Sequence, residues 1–389
     1  MMPDIAAPLF QPYRLGTCEL PNRIVMSAMT RMFAKDGVLE DRVVDYYRRR
    51  VEGGVGLIIS EGAAINGIGA YSAAVPHFYG DAALSKWKTI IDAVHAAGGR
   101  MMPQLWHAGL ARIRNQSADQ DLPSVGPSMV HPTVGDVSGQ PAPPFRALSE
   151  AEIGETIDQY VAAALSAQRL GFDGVELHGG HGYLIDQFLW NETNKRTDGF
   201  GGQNLAERAR FGIDLIKAIR DNVGPDFPIG LRFSQWKSPD FYDTRLAETP
   251  AELETLLTPL SDAGLSFFDC STRRFWEAEF PQSGSDMNLA GWTKKITGKT
   301  AITVGSVGLS DALDVTSHHA YGQDGAARTG SSASAEQFAK LMHMFNRGDF
   351  DLIAVGRALI ANPDFANKVR DGQLAELKPY RMETLTELI

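Results

Sequence analysis

Cysteine is nearly absent: Cys18 and Cys270 are the only two in 389 residues. Two thiols cannot build a disulfide framework or a thiolate cluster, and such scarcity suits a reducing, cytoplasmic compartment. No apolar run reaches the roughly 18 residues of a membrane helix, so no membrane partner is expected. Basic blocks are also missing. Lys and Arg number 37 against 47 Asp and Glu, a formal net charge of −10, which argues against a nucleic-acid surface. The opening stretch "MMPDIAAPLFQPY" lacks the charged segment and apolar core of a secretory leader. The first apolar run, "RIVMSAMT" (23–30), is not followed by the Gly-rich turn that a dinucleotide-binding doubly wound sheet requires.

What the chain does contain is a series of eight short apolar runs bounded by turn residues, at 23–30, 56–62, 100–106, 174–179, 228–233, 267–272, 300–306 and 351–357. Between most of them, residues 41–52, 84–98, 149–170, 204–223, 249–263 and 333–347 carry apolar positions at helical spacing, several closing on Gly. Alternating strands and helices imply parallel pairing, because parallel strands need a long crossover. Eight such units predict an α/β fold, a (β/α)8 TIM barrel forming a single domain over residues 1–389. "YRLGTCELPN" (13–22) predicts an N-terminal hairpin plugging the barrel bottom. Long loops are expected after strand 3 (107–148), strand 6 (273–288) and strand 7 (307–332), at the mouth where barrels concentrate function.

The expected strands end in Thr30, in Glu61-Gly62-Ala63, in Gln104 and Trp106, in His178, in Arg232, in Gly305-Ser306 and in Gly356-Arg357. Each has a plain reading alone. A strand-end His is usually hydrogen-bonded scaffold, and Arg232 alone suits a barrel ion pair. Together they make a set of neutral donors, one fixed cation and, in "GVELHGGHGYLIDQF" (174–188), the imidazole pair His178 and His181 with Tyr183 beside it. Zinc would need a third protein ligand and usually a general base; strand 1 offers no His-x-His, and Arg232 at the end of strand 5 would repel the cation, so no metal is expected. A flavin suits the set better. Small residues at Gly305-Ser306 and Gly356 let backbone N–H groups approach a phosphate, and Arg357 adds a charge-assisted contact. Gln104 can serve the ring's pyrimidine edge, Arg232 can balance negative charge near N1, and Thr30 can donate to the other carbonyl. Ala63 completes the expected cofactor-binding set.

Five segments, "PLFQPYRLGTCELPNRIVMSAMTR" (8–31), "QLWHAG" (104–109), "GFDGVELHGGHGYLIDQFLWNETNKRTDGFGG" (171–202), "NLAERARF" (204–211) and "AVGRALIANPDF" (354–365), resemble the old yellow enzyme family of FMN-dependent ene-reductases. The resemblance covers nearly the whole chain and implies a tightly but non-covalently bound FMN with NADPH or NADH as reductant. It implies that His178 and His181 bind the oxygen of an activating carbonyl or nitro group and that Tyr183 donates a proton. It also implies that Thr30 tunes the flavin, that Gln104 and Arg232 hold the ring, and that Gly305, Ser306, Gly356 and Arg357 hold the phosphate. Trp106, Phe275 and Trp276 are expected around the substrate. The segment "STRRFWEAEFPQ" after strand 6 departs from the usual family sequence and looks closer to trimethylamine dehydrogenase-like proteins, which leaves the alkene substrate open. An FMN amine or xenobiotic dehydrogenase and a flavin-binding protein without turnover are the alternatives, and either a monomer or a homodimer is compatible.

Overall fold

The structure, a computed structural model, describes residues 5–70, 74–112, 122–130, 144–237, 244–309 and 335–389. Its centre is a closed barrel of eight parallel strands: β1 (Ile24–Met26), β2 (Leu57–Ala64), β3 (Met101–Trp106), β4 (Val175–His178), β5 (Ile229–Ser234), β6 (Phe267–Ser271), β7 (Thr300–Val304) and β8 (Leu352–Val355). Neighbours around the barrel are neighbours in sequence, and β8 pairs with β1 to close it. The expected TIM barrel is therefore the observed fold. Around it lie helices α1 (Arg42–Glu52), α2 (Asp81–Ala96), α3 (Glu150–Leu170), α4 (Arg210–Val223), α5 (Pro250–Asp262), α6 (Leu289–Thr297), α7 (Ala335–Arg347) and the short α8 (Arg357–Ala361). No described helix is long and apolar enough to cross a membrane.

Strand alternation sorts the side chains into two cores. Val25, Leu57, Ile59, Met102, Phe267, Ile302 and Leu352 fill the barrel interior. Their outward neighbours, among them Ile58, Leu105, Leu177, Leu231 and Phe268, pack under the helices. The hairpin of Tyr13–Leu15 and Cys18–Leu20 adds Leu15, Cys18 and Leu20 to the interior cluster and so plugs the barrel. Gly230 is required in β5 because any Cβ there would meet Phe267 Cζ at 2.0 Å.

One irregularity positions the site. Pro103 stands inside β3 and has no N–H to give its neighbour. Opposite it β2 bulges, and the register jumps between Ile59 and Gly62. Ser60 Oγ then accepts the N–H of Gln104 at 3.1 Å. Glu61 is turned to the outside of the barrel, where its carboxylate accepts the N–H of Arg31 at 3.1 Å and holds the loop after β1.

Two expectations change in detail. The first strand stops at Met26, not at residue 30, and the helix expected over 204–223 is broken at Ala209 into Leu205–Arg208 and α4. Much of the loops after β3 and β7 (113–121, 131–143 and 310–334), with the first two residues of the helix expected over 333–347, lies outside the described residues.

Candidate active site

The turn after β4 carries the imidazole pair. His178 closes β4 in register with Arg232 on β5, so the two side chains share the top of the barrel interior. His181 follows with φ of 62°, a left-handed conformation held by Ser234. The Ser234 hydroxyl accepts the His181 N–H at 2.9 Å and donates to Trp236 O at 2.8 Å. His181 then stacks on Trp236, with centroids 4.3 Å apart and 18° between planes. Its Nε2 lies 2.8 Å from Ser271 Oγ at the end of β6. The rings of His178 and His181 meet edge-on at 5.0 Å, His178 and Tyr183 at 4.8 Å, and Tyr183 and Trp106 at 5.1 Å. Sequence motif and barrel topology thus bring His178, His181, Tyr183 and Trp106 into one aromatic cluster.

Burial first, and the Arg232 charge second, hold the His178 imidazole well below its ordinary range. His181 is depressed likewise by burial, then by His178 and Arg232. Both are neutral donors at physiological pH. Beneath the turn, Asp186 Oδ2 accepts the Gly182 N–H at 2.7 Å, while Asp186 Oδ1 pairs with Lys237 Nζ at 2.6 Å. Both members of this ion pair are sealed from solvent, and they tie the turn bearing Tyr183 to the segment after β5.

Beside the cluster opens a cavity with His181, Trp236 and Arg232 at one end and Gly305, Ser306, Gly356 and Arg357 at the other. Gly305 has φ of 148°, and a Cβ there would fall 2.4 Å from Thr272 Oγ1. Ser306 follows at φ 54°. Such strained backbone persists where a site requires it. Arg357 Nη2 reaches Ser306 Oγ at 3.4 Å, and burial pulls its guanidinium down to about 10, still charged at neutral pH. This end offers bare backbone and a buried cation, the donor set a phosphate needs. At the other end Arg232 Nη1 donates to Ser27 Oγ at 3.0 Å, but Arg232 Nε and His178 Nδ1 are buried with no hydrogen-bond partner. Orphaned polar atoms at both strand ends fit a polar ring seated between them. The residues present fit FMN.

Other expected site residues lie differently. Thr30 is exposed, and Ser27, Ala28 and Met29 line the cavity in its stead. Because of the β2 bulge, Ala63 faces the outer core with Leu105, and it is Gly62 that opens toward Gln104 and Trp106. Gln104 is buried and gives an amide hydrogen to Glu176 Oε1 at 2.8 Å, which leaves its carbonyl available as an acceptor. Phe275 packs into the outer core and Trp276 packs edge-on against it at 5.0 Å; neither lines the cavity. Trp236, Ser271 and the Asp186–Lys237 pair were not expected from sequence. For Trp236 and Ser271 the available signal was position, at the ends of β5 and β6.

Comparison with known proteins gives one consistent answer. The sequence model of the NADH:flavin oxidoreductase / NADH oxidase family matches residues 8–376. Chanoclavine-I aldehyde reductase fgaOx3 of Penicillium roqueforti is 33% identical over 366 residues, covering 94% of this chain and 89% of its own. An NADH oxidase of Thermoanaerobacter brockii is 32% identical over 378 residues; it is longer, and this chain spans only 52% of its length. Among solved structures, the old yellow enzyme from Pichia sp. AKU4542 superposes with a TM-score of 0.78 at 26% identity, over 97% of this chain and 90% of that one. Morphinone reductase in complex with tetrahydroNAD gives 0.77 at 28% identity, over 97% and 93%.

Proposed function

Because the chain belongs to the NADH:flavin oxidoreductase / NADH oxidase family, that of the old yellow enzymes, we propose that this flavin oxidoreductase is an FMN-dependent ene-reductase, reducing electron-poor alkenes such as enones, enals and nitroalkenes. The observation that carries the reading is the contact of two neutral imidazoles with one phenol, His178 against both His181 and Tyr183, beside the cavity that Arg232 closes.

Gly305, Ser306, Gly356 and Arg357 would hold the phosphate of FMN, and Arg232, Gln104 and Gly62 would meet its ring. When bound, the flavin supplies a two-electron relay that accepts hydride from NADPH or NADH and passes it to the alkene's β-carbon. The protein's own part is to polarise, position and protonate. His178 and His181 donate hydrogen bonds to the carbonyl or nitro oxygen, which draws electron density from the alkene and favours hydride at the β-carbon. Their depressed proton affinity keeps them donors rather than acids, so the oxygen is polarised without losing them as a fixed pair. Tyr183 delivers its phenolic proton to the α-carbon. Trp106 walls Tyr183, and Trp236 walls His181, which limits the water that could compete for that carbon.

Anaerobic titration tests the reading. The purified protein should carry about one FMN per chain, bleach on addition of NADPH or NADH, and recover its yellow colour stoichiometrically with a cyclic enone. Bleaching by amines but not by nicotinamide would replace this reading with a dehydrogenase, and a flavin that neither nicotinamide nor amine reduces would leave only a binding protein.

A further inference from the structure

Below the cavity, the barrel interior holds two carboxyl groups that the reaction above does not use. Glu176 on β4 and Asp269 on β6 are both fully buried, and they lie near enough for each to act on the other's proton affinity. Glu176 lies in register with Gln104 on one side and Gly230 on the other, and Asp269 with Arg232, two residues further along β5. Among the described residues, one cation serves them. Arg232 Nη1 is 3.8 Å from Asp269 Oδ2, and Gln104 offers Glu176 only a neutral amide hydrogen at 2.8 Å. His178 and His181, on which the Arg232 charge also acts, are both held neutral.

A hydrogen bond between two carboxyl groups needs a hydrogen, and two carboxylates in contact repel. Without that proton, Glu176 Oε2 and both Asp269 oxygens have no donor in the structure, a costly state for buried charge. With it, every group is used in a chain from Gln104 through Glu176 to Asp269 and Arg232. We propose that Glu176 is a buried carboxylic acid donating its hydrogen to the Asp269 carboxylate, and that this single negative charge balances Arg232 and so sets the reduction potential of the flavin. Both are positioning residues that act through Arg232 and Gln104. Burial raises both groups and the Arg232 charge opposes the rise in both, but Asp269 pushes Glu176 further up whereas Glu176 draws Asp269 down. That difference agrees with the proton residing on Glu176.

The inference rests on the FMN reading, and the test separates the two. Glu176→Gln replaces an acid by an amide that can make the same two hydrogen bonds, so it copies the proposed state. Asp269→Asn removes the one negative charge and leaves Glu176 protonated. In the FMN-loaded protein, Glu176→Gln should keep the flavin midpoint potential within two-fold in the reduced-to-oxidised ratio. Asp269→Asn should raise that ratio at least about ten-fold, roughly 30 mV for a two-electron couple. An infrared C=O band of a protonated carboxyl should vanish in Glu176→Gln and persist in Asp269→Asn, with or without flavin. A rise in both variants would mean two carboxylates, no change in either would mean two acids, and the reverse pattern would place the proton on Asp269; each overturns the proposal. If neither variant holds FMN, the infrared band decides. If the unaltered protein holds no flavin, the cofactor reading fails first.

Discussion

His181 Nε2 lies 2.8 Å from Ser271 Oγ, across the gap between the turn after β4 and the end of β6. A hydroxyl donating to Nε2 fixes the tautomer with hydrogen on Nδ1, so that Nδ1 becomes the donor to substrate. Trp236, stacked on the same ring, keeps the imidazole in place but says nothing of its tautomer.

Ser271→Ala should therefore weaken binding of a phenol that reports on the oxygen site through its long-wavelength charge-transfer band. The expected loss is that of one hydrogen bond, about 0.5–1.5 kcal/mol, or roughly two- to ten-fold. FMN content should not change, and Ser271→Thr should restore affinity. Spectral titration checks all three; an unchanged phenol affinity in the Ala variant would leave Ser271 with packing alone.

Arg357→Ala should raise the FMN dissociation constant by about ten- to a hundred-fold, the value of a charge-assisted hydrogen bond of roughly 1.5–3 kcal/mol. Fluorescence of released flavin on dilution measures it. Retention of FMN at wild-type affinity would move the phosphate away from the Ser306–Arg357 end of the cavity.

His107 makes a pH prediction. It is fully buried after β3, accepts the Gly109 N–H at 3.0 Å through Nδ1, and is drawn by burial from 6.5 down to about 3. The unfolded chain gains its proton as pH falls through about 6.5; the folded chain does not until about 3. The contribution is thus complete above pH 6.5 and is lost as pH falls. Between pH 6.5 and 5 this residue removes about 2 kcal/mol, at 1.36 kcal/mol per unit. Glu61, pushed up to about 7 by burial, works in the opposite sense over the same range. Comparing denaturant midpoints of the unaltered protein and His107→Gln, which keeps an acceptor for Gly109, cancels the Glu61 part. Parallel pH curves for the two would contradict the assignment.

The barrel could be read from the sequence because buried parallel strands are continuous apolar runs and their helices carry strong stop signals. Gly171, in the left-handed conformation after α3, ends the helix that Ser149 and Glu152 open with a capping box. Helix α6 was not read, because "LAGWTKKIT" is short and its only start signal is the side chain of Asn288 accepting from Gly291 N. Strict alternation from Leu57 and Ile59 would turn Ala63 into the barrel, but the bulge opposite Pro103 sets Gly62 there, and no sequence pattern announces that bulge. Ser271, Trp236 and Lys237 stand 51 to 90 residues from their partners in sequence, and only barrel closure brings them together.

Tyr183 offers the most direct measurement. Tyr183→Phe keeps the ring, and hence its contacts with His178 and Trp106, but removes the hydroxyl. In anaerobic stopped-flow experiments, flavin reduction by NADPH or NADH should stay within a few-fold of the unaltered protein, since that step takes no proton from this side chain. Reoxidation by a cyclic enone should slow by about 10²–10⁴, the value of a general acid. Reoxidation by a nitroalkene should be spared, because its nitronate leaves without being protonated. An enone rate unaffected by the substitution would contradict Tyr183 as the proton donor, and equal slowing of both half-reactions would assign it to the architecture of the site.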